Sequence, residues 1–147
     1  MSARLRLDVQ VAVRPDRIPT ERQFRRWARA ALGCSCAVTL RVVGTAEGRR
    51  LNRGFRERDY ATNVLTFVYG GERVLHGDIA LCAPVVLREA REQRKDPEAH
   101  WAHLVVHGML HLQGWDHEIE AEAAEMEALE TQIVTELGYP DPYLVAA

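Results

Sequence analysis

Residues 107–117 read HGMLHLQGWDH, with histidines at 107, 111 and 117 and a glycine at 114. That spacing limits what the segment can fold into. His107 and His111 are four apart, so on a helix they lie one turn apart on one face. His117 joins them only if the chain turns back first, and Gly114 accepts the backbone angles such a turn needs. Zinc takes neutral imidazole nitrogens at roughly 2.0–2.1 Å, and three protein ligands leave the fourth corner open, the arrangement of a catalytic site.

The spacing H-x-x-x-H-x-x-G-x-x-H equals the metzincin pattern in its histidines and glycine. Peptidases of that type carry a glutamate after the first histidine as general base. Gly108 stands there in this chain, so peptide hydrolysis by that route lacks its proton acceptor. RNA is a compatible substrate, because its ribose 2′-OH lies beside the scissile phosphate. Two neighbours have open roles. His103, four before His107, is either a rival ligand or a supporting residue. Asp116 is a turn residue, a carboxylate orienting a ligand histidine, or a proton acceptor.

The rest of the chain alternates between two periodicities. Leu5, Leu7, Val9, Val11 and Val13 fall at every second position, which predicts a strand over 5–13. Thr20 can cap a helix to about Leu32 with Phe24, Trp27, Ala28 and Ala31 on one face. A second strand is expected over 37–43, a helix from Gly44-Thr45 to about Phe55, and two further strands over 63–69 and 77–82. Pro84 starts a helix reaching about Lys95. Asp96-Pro97-Glu98 is a strong helix start for a segment reaching about His111. Ile119 to Leu137 is amphipathic, with Ala123, Met126, Leu129, Ile133 and Leu137 on the apolar side and Glu on the other. The order β-α-β-α-β-β-α-α-α predicts an α+β fold with a small mixed sheet packed on helices. At 147 residues, a single domain over 1–147 is expected.

Charge is uneven. Residues 1–60 hold 14 Arg against 6 acidic residues, and 61–147 hold 5 basic against 15 acidic ones. The basic half is either a surface for a polyanion such as nucleic acid, or a solvated face that attracts the acidic half. Three cysteines, Cys34, Cys36 and Cys82, lack framework spacing, so buried free thiols are expected and no disulfide scaffold. No stretch approaches a membrane span, and the first residues do not form a signal peptide.

HGMLHLQGWDH resembles the H-G-x-L-H-L-x-G-[YW]-D-H signature of the YbeY endoribonucleases, bacterial rRNA maturation factors. LNRGFRERDYATNVLTF (51–67) is similar to that family's L-N-x-x-[YF]-R-x-x-D-x-x-T-[DN]-V-L-[ST]-F stretch. HGDIALC (76–82) resembles its L-G-D-I-x-[IL]-C strand. EMEALE (125–130) and GYPDPY (138–143) look like its last helix and tail. The resemblance, from about Thr45 to Tyr143, implies a mixed four-stranded sheet with about five helices, of zincin-like metal-hydrolase architecture. It also implies zinc (Zn2+)-dependent cleavage of single-stranded RNA in the cytoplasm. The implied role is maturation of the small-subunit rRNA 3′ end and ribosome quality control, with the small ribosomal subunit as partner. His107, His111 and His117 match the family's zinc ligands, and Arg56 its functional arginine.

A guanidinium at Arg56 suits the task, since it grips a phosphate through paired N–H bonds. Its other reading is an ion pair with Glu57 or Asp59. Arg49, Arg50, Arg53 and Arg58 nearby form a candidate track for an RNA backbone. Three positions depart from the family pattern. Val68 follows Thr66-Phe67 where many relatives have Pro, the connection over 69–75 is short, and His76 replaces a leucine. Two other functions remain in play: an assembly factor with a structural metal that does not cut RNA, and a zincin-type peptidase, which Gly108 disfavours.

Overall fold

Alternating apolar residues build a four-stranded sheet in the order β1-β2-β4-β3. The computed structural model describes residues 2–56, 62–115 and 120–144, with the side chains of Phe55 and Arg56 outside that set. Its elements run β1 (Leu5–Val11), α1 (Glu21–Ala30), β2 (Cys36–Val43), α2 (Thr45–Arg56) and β3 (Val64–Gly70). They continue with β4 (Leu75–Cys82), α3 (Ala83–Glu92), α4 (Pro97–Leu112) and α5 (Glu120–Glu136). The α+β fold, the mixed four-stranded sheet and the element order match the expectation from sequence. Ile119, the expected start of the last helix, lies outside the described residues.

β1 runs parallel to β2, and β2 parallel to β4, with Leu7, Val38 and Gly77 in one row and Val9, Leu40 and Ile79 in the next. β3 pairs antiparallel to β4. Leu7, Val38, Leu40, Ile79 and Leu81 belong to the main core, together with Phe24 and Trp27 of α1 and Trp101, Val105 and Met109 of α4. Phe24 meets Trp27 and Trp101 edge-on, with ring centroids 5.9 Å apart in both pairs. Each such aromatic buries on the order of 150–250 Å² of largely apolar surface, and burial of this kind is the dominant favourable term in folding.

Boundaries follow local hydrogen bonding. Thr20 and Gln23 form a reciprocal capping box, Gln23 N donating to Thr20 Oγ1 (3.2 Å) and Thr20 N to Gln23 Oε1 (2.8 Å). α1 stops at Ala30, two residues short of expectation. There Ala31 N bonds Ala28 O and Leu32 N bonds Arg29 O, which tightens the last turn away from α geometry. β1 ends at Val11, before the expected Val13. Asp96 caps α4 by accepting from Glu98 N (3.1 Å), and Pro97 opens the helix.

α4 is buried on nearly every side, against α1, α3, α5 and the sheet. Two glycines permit its close approach. A Cβ added at Gly77 of β4 would stand 2.5 Å from Leu112 Cδ1 and 2.7 Å from the carbonyl oxygen of Phe67. One added at Gly108 of α4 would meet Ile79 at 3.2 Å and Val64 at 3.5 Å.

The cysteine expectation holds for Cys36 and Cys82, which are buried free thiols, and is corrected for Cys34, which is exposed. Cys34 lies in the α1–β2 connection, outside the strand whose pleat buries Cys36.

The Gly77 contact with a backbone oxygen cannot relax by rotating a side chain. Gly77→Ala is therefore expected to lower the unfolding free energy by about 1–3 kcal/mol. Urea denaturation measures this, and an unchanged midpoint would refute the close packing around Gly77, where β3 and Leu112 of α4 meet β4.

Candidate metal centre

α4 presents His100, His103, His107 and His111 as a continuous stripe, with successive ring centroids 6.4, 6.5 and 6.3 Å apart. His107 and His111 are nearly parallel, 12° between planes. The stripe arises from the spacing of three and four residues, and it is aimed by the burial of the rest of the helix. Gly108 faces Ile79, and His107, about 100° round the helix, is half-buried.

Glu130 of α5 reaches across to this stripe. It is fully buried, 0% exposed, yet charged chemistry surrounds it. Oε1 accepts from His107 Nδ1, and Oε2 accepts from the Tyr143 hydroxyl. His103 Nε2 lies 3.3 Å from the Tyr143 oxygen and 3.7 Å from Glu130 Oε2. Burial pushes the Glu130 carboxyl up, but hydrogen bonds from His103 and His107, the charge of His107, and the bond from Tyr143 outweigh it, leaving a pKa of about 2. Burial raises the Tyr143 pKa and the Glu130 bond and charge raise it further, so the phenol keeps its proton. Sequence left His103 open as rival ligand or supporting residue; its ring turns to Tyr143 and Glu130, a supporting place.

A second His–carboxylate pair stands at the start of α4. His100 Nε2 donates to Glu89 Oε1 (3.0 Å), and Asn63 Nδ2 donates to the same oxygen (3.1 Å). Burial raises the Glu89 pKa, while the bonds from His100 and Asn63 lower it more, so it falls below the usual carboxylate range.

The end of α4 is a Schellman turn. Trp115 N bonds Leu110 O (3.0 Å) and Gly114 N bonds His111 O (3.1 Å), with Gly114 at φ +105°. The glycine read from sequence as a turn is one. Gln113 fastens this turn to the α1–β2 connection. Its Oε1 accepts from Gly33 N (2.7 Å) and Cys34 N (3.2 Å), and its Nε2 donates to Ala31 O (2.8 Å) and Met109 O (2.9 Å).

Beyond Trp115, the candidate ligand His117 and its neighbour Asp116 lie outside the described residues, as do Glu57, Arg58 and Asp59. Arg56 is the last residue of α2. Arg49, Arg50 and Arg53 are exposed on that helix. Among the described residues no group of three or more His, Cys, Asp or Glu is placed to hold a metal, so Cys82 does not complete a site with His107 and His111. Burial raises the Cys82 pKa and keeps the thiol neutral.

The two described imidazoles fit a zinc ion chemically. They stack on one face, one turn apart, and can supply two nitrogen ligands to a tetrahedral site. Glu130 and Tyr143 were missed in the sequence reading. Glu130 was placed with the polar side of the last helix, but it is four residues after Met126 and three before Ile133, both buried, so it shares their face. That period was the available signal.

The family model described as Endoribonuclease YbeY matches residues 12–138. The chain is 60% identical over 145 residues to the Endoribonuclease YbeY of Aromatoleum aromaticum, covering 97% of this chain and 94% of that protein. It is 56% identical to the Endoribonuclease YbeY of Methylobacillus flagellatus, covering 95% of this chain and 94% of that one. Among solved structures, the solution structure of TM1509 from Thermotoga maritima superposes with a TM-score of 0.63 at 29% identity, covering 90% of this chain and 88% of the other.

Because Gln113 makes three hydrogen bonds to the neighbouring connection and a fourth within α4, Gln113→Ala should cost on the order of 1–3 kcal/mol of stability. Chemical denaturation checks it, and a variant as stable as the parent would mean that the clamp does not hold the turn.

Proposed function

The chain belongs to the Endoribonuclease YbeY family, and from that premise we propose that it is a zinc-dependent endoribonuclease cutting single-stranded RNA. Its proposed role is in rRNA maturation, at the small-subunit 3′ end, and in ribosome quality control in the cytoplasm, with the small ribosomal subunit as partner. The observation that carries the reading is the His107–His111 pair on α4, with Glu130 behind His107 and a Schellman turn leading toward His117.

His107, His111 and His117 are the residues that would hold the metal. When bound, it supplies Lewis-acid polarisation of a phosphoryl oxygen and activation of a water nucleophile. Arg56 grips the scissile phosphate through its paired N–H groups and stabilises the charge that grows on the phosphorus centre. The exposed Arg49, Arg50 and Arg53 follow the RNA backbone along α2, a salt-sensitive contact without sequence preference. No helix among the described residues is long and apolar enough to cross a membrane.

The peptidase alternative meets a packing obstacle. Position 108 faces Ile79 and Val64, so a glutamate there would enter the helix–sheet contact instead of the metal's open side. An assembly factor with a structural metal would need a fourth protein ligand.

His111→Ala is expected to abolish stoichiometric zinc binding. Arg56→Ala should bind zinc normally but cut a single-stranded RNA roughly 10²–10³-fold more slowly, the usual effect of removing a charge-stabilising donor. Zinc analysis and an RNA cleavage time course on folded variants measure both. Cleavage at the parent rate by both variants contradicts the assignment. Retained zinc with no cleavage by the parent itself would move the protein to the assembly role.

A further inference from the structure

Glu130 has no stability rationale of its own. A carboxylate with 0% exposure gives up its hydration, and exchanging a buried ionic group for an apolar one of similar size is often neutral or stabilising. Yet both of its oxygens are engaged, one by His107 and the other by Tyr143.

Tyr143 in turn is not a loose terminal residue. Its segment is tied down by three hydrogen bonds at two earlier residues. Lys95 Nζ donates to Pro142 O, Tyr139 donates to Glu98 Oε2 (2.8 Å), and Trp27 Nε1 donates to Tyr139 (3.1 Å). Tyr143 N also donates to Asp141 Oδ1 (2.9 Å). The Tyr143 hydroxyl gives its one proton to Glu130, so its oxygen is left to accept from His103 Nε2 at 3.3 Å. The last described residues thus reach the back of the His107 ring through two side chains.

We propose that Glu130 and Tyr143 are positioning residues for His107: Glu130 holds the His107 proton on Nδ1 and turns the Nε2 lone pair outward, while Tyr143, supported by His103, fixes the carboxylate in the orientation that does so. The proposal rests on the reading of His107 as a metal ligand. Carboxylates placed behind ligand histidines orient the ring and raise its basicity, and their loss typically weakens metal binding about 10- to 100-fold. Here the carboxylate comes from a different helix, α5, and its second oxygen is locked by the tail. The site therefore depends on the docking of both onto α4.

The test uses the full chain and two readouts, one of which needs no metal. In the metal-free protein at pH 8.5, nitrogen-15 NMR of the histidine rings should find His107 as the Nδ1–H tautomer. Glu130→Leu removes the acceptor and should release His107 to a mixture containing the Nε2–H form, with zinc affinity, measured by chelator competition, about 10- to 100-fold weaker. Glu130→Gln keeps an acceptor but not the charge, so it should retain the tautomer with an intermediate zinc affinity. Tyr143→Phe should weaken zinc less than Glu130→Leu while leaving the fold intact by circular dichroism.

Finding His107 in the Nε2–H form in the parent overturns the proposal. So does a Glu130→Leu protein with parental His107 nitrogen shifts and parental zinc affinity. Should Glu130→Leu fail to fold, Glu130→Gln and Tyr143→Phe decide, and parental zinc affinity in both overturns it. A parent that binds no zinc refutes the metal-ligand reading, while the metal-free tautomer still decides whether Glu130 fixes the ring.

Discussion

The close approach of α4 to β4 is the constraint on which the rest depends. At Gly77 the Leu112 side chain of α4 presses on the bare β4 backbone, and at Gly108 the Ile79 and Val64 side chains of the sheet press on the bare backbone of α4. This contact uses one side of α4 for the sheet and turns the histidine stripe away from it. The same helix fills the core with Trp101, Val105, Met109 and Leu112. Core packing and the placement of the histidine stripe are therefore one structural event, and a change that lifts α4 from the sheet disturbs both.

Around this helix the carboxylates do the electrostatic work. Glu89 pairs with His100 at the start of α4, and Glu130 pairs with His107 further along. Both carboxyls are held below their ordinary pKa despite burial, because imidazole N–H groups donate to them. The charge asymmetry of the chain has a related limit. Arg25–Glu21 and Arg41–Glu47 pair within the basic half, and Arg88–Glu92 within the acidic half. Each of these three pairs lies within one half of the chain.

Much of this was legible in the sequence. The Thr20 and Asp96 caps and the Gly114 turn rest on local rules and are found where their residues placed them, and the period-two strand forms but ends at Val11 instead of Val13. The four-residue spacing of His107 and His111 likewise survives, because helix geometry alone stacks them. Illegible were the contacts made by distant chain. Glu130 lies 23 residues from His107 and Gln113 lies 80 from Gly33, and no periodicity announces either pairing. Cys34 was misjudged because its exposure depends on where the α1–β2 connection bends, not on its residue type. The likeness to zincins still rests on the histidine spacing.

The account stands or falls on the convergence of three imidazoles at one cation with a corner left for solvent. X-ray absorption at the zinc edge of the zinc-loaded protein tests this most directly. The account predicts three imidazole ligands and one further nitrogen or oxygen scatterer at roughly 2.0–2.1 Å. A sulfur shell near roughly 2.3 Å, or a fourth protein ligand closing the sphere, would contradict it.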